Sequence, residues 1–248
     1  MSELKRHMGL FQLTMYGTGL ILGAGIYVLI GEAAGFAGDS VWIAVVMGSI
    51  VALFAGFSYA ELSSIFPKAA AEYVFIKNAF KNNFFAFLIG WLTAITSIIT
   101  AATVALGFGG YFAEFVNIPI IISAIGLLII LSIVNFIGIR ESAWTNTIFT
   151  IIEASGLILI IIIGFTFANP EPVNYTESPT GFSGIIIAFV LLFFAFIGFE
   201  DMANIAEEVK KPKRTLPKAI ILSVVISGIL YILVSLAVVR VVNWEELA

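Results

Sequence analysis

The feature that most constrains this chain is a series of seven apolar, nearly uncharged stretches, each long enough to cross a bilayer as a helix. The hydrocarbon core of a membrane is about 30 Å thick, and a helix needs roughly 20 residues to span it. The stretches lie near residues 11–31, 41–60, 84–113, 118–138, 145–168, 183–206 and 217–239. Because backbone groups in lipid must be satisfied within the segment, we predict an all-α integral membrane protein with seven transmembrane helices, called spans one to seven.

Composition supports this class and narrows the function. Hydrophobic residues make up 60% of the chain and charged residues only 11%, which is far outside the range of soluble domains. The chain has no cysteine, and its single histidine, His7, follows Lys5 and Arg6 near the amino terminus. These counts exclude thiol catalysis and argue against histidine-based catalysis and metal sites. We predict a protein that is not an enzyme, uses no cofactor or metal, and has the lipid bilayer rather than nucleic acid as its surroundings.

The distribution of cations predicts the orientation in the membrane. The amino terminus and the loops after spans two, four and six hold eleven Lys and Arg residues, whereas the opposite loops hold only Arg240. The eleven are Lys5, Arg6, Lys68, Lys77, Lys81, Arg140, Lys210, Lys211, Lys213, Arg214 and Lys218. The positive-inside tendency therefore predicts a multi-pass protein of the cell membrane with a cytoplasmic amino terminus. The acidic linker "NPEPVNYTESPTG", with Asn174, should face outside.

Two spans contain features that disfavour a continuous helix. Span one reads "YGTGLILGAGIYVLIG", with Gly23, Ala24 and Gly25 near its middle, and each helical glycine costs about 1 kcal/mol relative to alanine. These small residues indicate either close packing against another helix or a break that exposes backbone groups to a cavity. Span six has a similar irregularity in "FFAFIGFED", which contains Gly198. Two broken spans five helices apart are typical of inverted-repeat transporters, which bind substrate at the breaks.

Five segments along the chain carry a family resemblance. They are "GAGIY" (Gly23–Tyr27), "FSYAELSSIFPKAAAEYVFIKNAF" (Phe57–Phe80), "NFIGIRESAWTN" (Asn135–Asn146), "FAFIGFE" (Phe194–Glu200) and "AEEVKKPKRTLPKAI" (Ala206–Ile220). With these segments the chain resembles an amino acid permease of the amino acid, polyamine and organocation (APC) transporter superfamily, which has the leucine-transporter-type fold. The resemblance implies a core of ten helices, built as two inverted five-helix repeats.

On this resemblance, residues 1–168 form the first repeat, 169–182 an external linker, and 183–248 the first two helices of an incomplete second repeat. We therefore expect a permease that is truncated or split after span seven, with a missing carboxyl-terminal portion as a possible partner. The function implied is secondary active transport of amino acids by alternating access, by symport or antiport, with proton coupling or exchange. The alternative is a non-transporting fragment that needs a complementary chain. Transport by this chain alone in liposomes separates the two.

The resemblance also assigns roles at the two breaks. The substrate's carboxylate is expected against the backbone N–H groups of Gly23–Gly25, where a helix amino terminus carries partial positive charge. The substrate's ammonium is expected near the carbonyls of Phe196 and Ile197. Phe194 occupies the position where the family places an aromatic ring that closes over the substrate, although an ordinary packing role is the alternative. The pocket candidates in span three, Thr96–Thr100, are small and favour a neutral side chain of modest size.

Three acidic residues inside the spans complete the candidate site. Glu200 follows the break in span six and is expected to stabilise the unwound segment or respond to protonation, whereas Asp201 is less informative. The alternative for both is solvation in a cytoplasmic vestibule. Glu153 lies in span five, where some sodium-independent relatives place a lysine in the role of a sodium ion. Because a neutral carboxyl group is much cheaper to bury than a charged one, Glu153 is the candidate carrier of a coupling proton. Its alternative role is hydrogen bonding to a neighbouring helix.

Overall fold

The computed structural model describes residues 6–137, 139–167 and 173–247. For Ala24, Ile137 and residues 139–145 it describes the backbone alone. The predicted cytoplasmic position of Lys5, and residues 168–172 at the predicted junction of the first repeat and the linker, lie outside the described residues.

The described residues are almost entirely helical. The helices are α1 (Leu10–Leu22), α2 (Ala24–Ala37), α3 (Val41–Ile65), α4 (Ala71–Phe80), α5 (Asn83–Phe115), α6 (Ile120–Ile137), α7 (Ile139–Thr166), α8 (Gly181–Phe193), α9 (Asp201–Asn204), α10 (Pro212–Val241) and α11 (Trp244–Leu247). Span one corresponds to α1 and α2, and span six to α8 and α9. Spans two, three, four, five and seven correspond to α3, α5, α6, α7 and α10. The predicted all-α membrane architecture with about seven spans is confirmed.

Helix ends follow local chemistry. Proline is the first residue of α10, where its missing N–H is harmless and its fixed φ suits the helix. Asn82 caps α5, because its side-chain oxygen accepts a hydrogen bond from the N–H of Phe84 at 2.8 Å. Gly38, at φ 62°, ends α2 in a conformation that favours glycine, and a short 3₁₀ turn then leads into α3.

The packed core lies between α1, α3, α8 and α10, and includes Leu13, Leu22 and Phe196. Small residues on α3 face both α10 and the segment that follows α8. A Cβ added to Gly56 would lie in ordinary contact with Val224 of α10 at 3.6 Å, and one added to Gly48 would meet the ring of Phe196, after α8, at 3.1 Å. Packing and hydrogen bonds, rather than water exclusion, hold membrane helices together, so such close contacts matter. By contrast, α5 lies at the outside of the bundle and exposes most of its apolar side chains.

Candidate functional site

Span one is interrupted at Gly23. The helix α1 ends at Leu22 and α2 begins at Ala24, with Gly23 between them at φ −27° and ψ −164°. Such an interruption removes the in-helix partners of the last carbonyls of α1 and the first N–H groups of α2. The predicted break is therefore present, and it lies at the first of the three small residues.

Span six is interrupted over a longer segment. After α8 ends at Phe193, a 3₁₀ turn covers Phe194–Phe196, Ile197 is extended at φ −63° and ψ 138°, and helix resumes at Asp201. Gly198 adopts φ 128°, a conformation that other residues rarely reach. Among the described residues, none donates a hydrogen bond to the carbonyl oxygen of Phe196 or Ile197. Two backbone acceptors are therefore available at this interruption.

The two interruptions lie against each other. A Cβ added to Gly25 would lie 2.8 Å from the Cα of Ala195, so α2 touches the backbone of the 3₁₀ turn in span six. A Cβ added to Gly198 would lie 2.7 Å from the carbonyl oxygen of Leu20, in the last turn of α1. Both of the alternatives for the small residues in span one are thus realised, with the break at Gly23 and the close packing at Gly25.

One buried side chain of span seven joins both interruptions. The Tyr231 hydroxyl donates to the carbonyl oxygen of Ile21 at 2.5 Å and is 3.2 Å from that of Ala195. These carbonyls belong to the last turn of α1 and to the 3₁₀ turn of span six. The Tyr231 ring is fully buried and packs edge-on against Phe196, with 5.2 Å between the ring centroids. Tyr231 therefore fixes the position of one interruption relative to the other.

A line of hydroxyl groups extends from Tyr231 along the contact between α10 and α1. The hydroxyl of Ser223 donates to the carbonyl of Thr14 at 3.0 Å. Ser227 of α10 and Thr18 of α1 lie between this contact and that of Tyr231 with Ile21. Both are buried, and among the described residues their hydroxyls have no hydrogen-bond partner. Buried hydroxyls without partners are uncommon in proteins, so this contact is more polar than helix packing requires.

The carboxylate of Glu200 stabilises the span-six interruption by a hydrogen bond. Its carboxylate accepts a hydrogen bond from the N–H of Gly198 at 2.9 Å, two residues earlier in the chain. An N–H group freed from helical pairing is costly if it is buried without a partner, and this contact supplies one. Asp201 makes a weaker contact, because the side-chain nitrogen of Asn204 is 3.5 Å from its carboxylate.

Glu153 is half-buried on α7 and faces the second half of span one. Its backbone carbonyl accepts a hydrogen bond from the Tyr27 hydroxyl at 2.8 Å. The carbonyl of Tyr27 in turn accepts one from the Tyr111 hydroxyl of α5 at 2.8 Å. Glu153 therefore lies on α7 beside the second half of span one, in contact through its backbone carbonyl.

The segment before α1 is fastened to the segment after span six. The N–H groups of His7 and Met8 donate to the carbonyl of Glu208 at 2.9 and 3.2 Å, and that of Lys210 donates to the carbonyl of Met8 at 2.9 Å. Met8 and Val209 are buried side by side in this pairing. Backbone hydrogen bonds therefore join these two segments at the end of the bundle that carries the amino terminus.

The family profile described as "Amino acid permease" matches residues 8–248, which includes both interruptions and the tyrosine that joins them. The chain belongs to the amino acid permease family. It is a multi-pass membrane protein of the APC superfamily, as the sequence predicts.

Individual relatives agree with this assignment. The permease is 34% identical to "Branched-chain amino acid permease BcaP" of Bacillus subtilis (strain 168), over 99% of this chain and 57% of the relative. It is 31% identical to "Cationic amino acid transporter 4" of Mus musculus, over 99% of this chain and 42% of the relative. It is also 30% identical to the "Methylthioribose transporter" of Bacillus subtilis (strain 168), over 57% of that protein. The permease spans about half the length of these relatives, which are named as transporters rather than enzymes.

The structure brings most of the predicted site residues together. Gly23, Gly25, Ile197 and the 3₁₀ turn that includes Phe194 all lie at the touching interruptions. The Phe196 ring is buried in the core against Tyr231, whereas Phe194 is partly exposed. In span three, the residues from Thr96 to Ile99 occupy exposed positions on α5.

Sequence reasoning missed two contributors to the site. Tyr231 is one of seven tyrosines and lies in an apolar span without a distinguishing motif. The pairing of Met8 with Val209 joins chain segments about 200 residues apart. A tyrosine inside an apolar span indicates a buried hydrogen bond, since its hydroxyl needs a partner there. Which group is the partner depends on how the helices pack.

Proposed function

We propose that this permease moves amino acids across the membrane by secondary active transport with alternating access. The observation that carries the proposal is the contact between the two helix interruptions, made at Gly25 with Ala195 and at Gly198 with Leu20. Interrupted helices at membrane depth are tolerated where backbone groups line a cavity or bind a ligand. Membership of the amino acid permease family indicates the class of that ligand.

The α-amino and α-carboxyl groups of the substrate would bind to backbone atoms. The first N–H groups of α2, from Ala24 and Gly25, point out of a 14-residue helix whose amino terminus carries about half a positive charge. They suit a carboxylate. The carbonyls of Phe196 and Ile197 suit an ammonium group, because the nearby carbonyls of Ile21 and Ala195 are already engaged by Tyr231. Phe194, at the edge of the site, would close over the bound substrate.

The side-chain specificity depends on fewer observations. The relatives are named for branched-chain amino acids, cationic amino acids and methylthioribose, so their names favour no single substrate. The sequence predicts a neutral amino acid of modest size from Thr96–Thr100. In the structure Thr96 to Ile99 are exposed on α5, and the hydroxyls of Thr96 and Ser97 donate to carbonyls of their own helix, so this prediction stays separate from the proposed site.

The proposed coupling ion is a proton, carried by Glu153, with Glu200 as the second candidate. Glu153 is half-buried and its backbone carbonyl contacts Tyr27 of α2, so its protonation would change the charge beside the second half of span one. A ligand or proton shifts a conformational equilibrium only by its different affinity for the two states. A carboxyl group that is more buried in one state than in the other meets that requirement.

The pairing of Met8 with Val209 would form the cytoplasmic gate in its closed state. The cations of the loops favour a cytoplasmic position for this end of the bundle. To open a path from that end to the interruptions, α1 must move away from the segment after span six. The hydrogen bonds between Met8, Glu208 and Lys210 must then break. Among the described residues, opening breaks three backbone hydrogen bonds and exposes the buried side chains of Met8 and Val209.

A binding and transport assay on the purified permease in proteoliposomes tests the proposal. We expect saturable binding of at least one of the twenty amino acids, and exchange of that amino acid across the bilayer. Binding without exchange would favour the alternative, in which this chain supplies the site and a complementary chain completes the pathway. Absence of binding for all twenty would contradict the proposed site.

A further inference from the structure

Helix α10 presents one continuous face to the surroundings of the bundle. Leu222, Val225, Ile226 and Ile229 are all exposed. Their spacing of three and four residues places them on a single face of the helix. The opposite face, which includes Tyr231, is buried against α1 and α3. No described residue of this chain covers that face, which is therefore open to the lipid tails of a bilayer.

The same face carries cations where the helix begins. Lys218 and Arg214 precede Leu222 by four and eight residues, so at 100° per residue they lie within about 80° of it. Both are exposed, as is Lys211 just before the helix. Lys213 is equally exposed but lies on the other side of the helix, about 180° from Leu222. The lipid-facing face therefore changes from apolar to cationic within two turns.

The distances match the edge of a bilayer. With a rise of about 1.5 Å per residue, Lys218 lies about 6 Å and Arg214 about 12 Å along the axis from Leu222. Long cationic side chains near helix ends extend toward the headgroups while their methylene groups stay in the apolar region. These two side chains can therefore reach phosphate groups at the level of the headgroups.

These cations are poorly placed for the helix itself. A helix amino terminus favours negative charge, yet the first turn of α10 has no acidic residue and holds Lys213 and Arg214. An external anion would remove this conflict. Arginine also binds phosphate through two parallel hydrogen bonds, which gives the contact a defined geometry.

We propose that Arg214 and Lys218, with Lys211 beside them, bind the headgroup phosphate of an anionic phospholipid whose tails lie along Leu222 and Ile229. The occupant is a bilayer lipid rather than a soluble anion, because the apolar half of the face is continuous with the cationic half. This lipid site does not depend on transport or on the sidedness of the protein in the membrane.

Quenching by brominated lipids tests this site directly. Because the permease has no cysteine, Leu222→Cys can be labelled at that single position with a bimane dye. The labelled protein is reconstituted with brominated phosphatidylglycerol or brominated phosphatidylcholine at 0.15 M salt. The two quenching curves give the relative binding constant of the anionic lipid beside position 222. A basic residue near an anionic membrane contributes about fivefold to lipid binding, which is about 1 kcal/mol.

We expect the relative constant to favour phosphatidylglycerol by at least fivefold. The constant should fall about fivefold in Arg214→Gln and about fivefold in Lys218→Gln, each substitution made alone in the parent. Lys213→Gln is the matched control, since it removes the same charge from the same turn on the opposite face, and it should leave the constant unchanged. Quenching by phosphatidylcholine in every variant verifies insertion. A relative constant near one in the parent, or an equal fall in Lys213→Gln, would overturn the site. Full competition by free inorganic phosphate would also do so, since it would show a soluble-anion site.

Discussion

Replacing Tyr231 by phenylalanine isolates the hydroxyl that joins the two interruptions. The change keeps the ring and its edge-on contact with Phe196, so the packing of the core is preserved. It removes the donor to the carbonyls of Ile21 and Ala195. Both carbonyls belong to segments where regular helical pairing ends, and Tyr231 itself is fully buried.

The expected size of the effect follows from the number of protons and acceptors. A hydroxyl has one proton, so it donates a full hydrogen bond to one carbonyl and makes a weaker contact with the other. A buried polar group left without its partner costs about 1–3 kcal/mol, whereas single hydrogen bonds between membrane helices average about 0.6 kcal/mol. Because both carbonyls lie where regular pairing ends, we expect the middle of the range for buried groups, about 2 kcal/mol. That value corresponds to about thirtyfold in an equilibrium constant.

Two measurements separate a role in the site from a role in packing. In Tyr231→Phe we expect substrate affinity to fall by about thirtyfold, because the interruptions no longer share a fixed spacing. Tyr111→Phe is the control, since it removes one hydroxyl bond, to the carbonyl of Tyr27, at an exposed position. It should change affinity less than threefold. Loss of unfolding free energy without loss of affinity would make Tyr231 a packing residue, and no change in either quantity would refute the reasoning.

Three further predictions concern the geometry and orientation of the site. Gly25→Val should abolish substrate binding while the protein remains inserted, because its added carbons meet the backbone of span six. Gly23→Ala should be tolerated, because an added Cβ there has no contact nearer than 3.8 Å. Equal binding by the two variants would contradict the packing. Oxidative cross-linking of Met8→Cys with Val209→Cys should stop exchange until a reductant is added; exchange that continues after complete cross-linking would show that the pairing is not a gate. A cysteine at Asn174 should be labelled only from outside intact cells, and labelling only from the cytoplasmic side would reverse the proposed orientation.

The sequence was sufficient for the architecture because membrane helices obey strong local rules. Length and hydropathy alone place the spans, since a helix is the only open-chain structure that satisfies its backbone in lipid. The interruptions were also predictable, since Gly23 and Gly198 disfavour a continuous helix. What the sequence could not separate was the role of each small residue. Gly23 and Gly25 are two positions apart and identical in chemistry, yet one interrupts the helix and the other allows close packing.

The parts of the site that were missed depend on contacts between distant segments. Tyr231 reaches a carbonyl 210 residues earlier in the chain, and the partner of Met8 lies beyond span six. No local pattern encodes such pairs, because they exist only once helices have packed. Glu200 is the intermediate case. Its position two residues after Gly198 suggested a stabilising role, and the structure supplies the atom it contacts, the N–H of Gly198.

The coupling role of Glu153 can be tested by separating exchange from accumulation. Glu153→Gln imitates the protonated acid, so the substrate site and the contact of its backbone carbonyl with Tyr27 should be retained. If Glu153 carries the proton, this variant should exchange internal for external amino acid at close to the parent's rate. It should fail to concentrate substrate under an imposed pH gradient, because no proton is released on either side.

Glu61→Gln, an exposed acid on α3, is the matched control and should behave as the parent in both assays. Accumulation that persists in Glu153→Gln would assign Glu153 to hydrogen bonding between helices. The same pair of assays on Glu200→Gln would then decide whether the proton moves through the span-six interruption. That substitution also replaces the carboxylate that accepts from Gly198, so a weaker substrate affinity should accompany any loss of coupling there. Loss of coupling with affinity intact is expected only at Glu153, since its carboxylate is not among the groups proposed to touch the substrate.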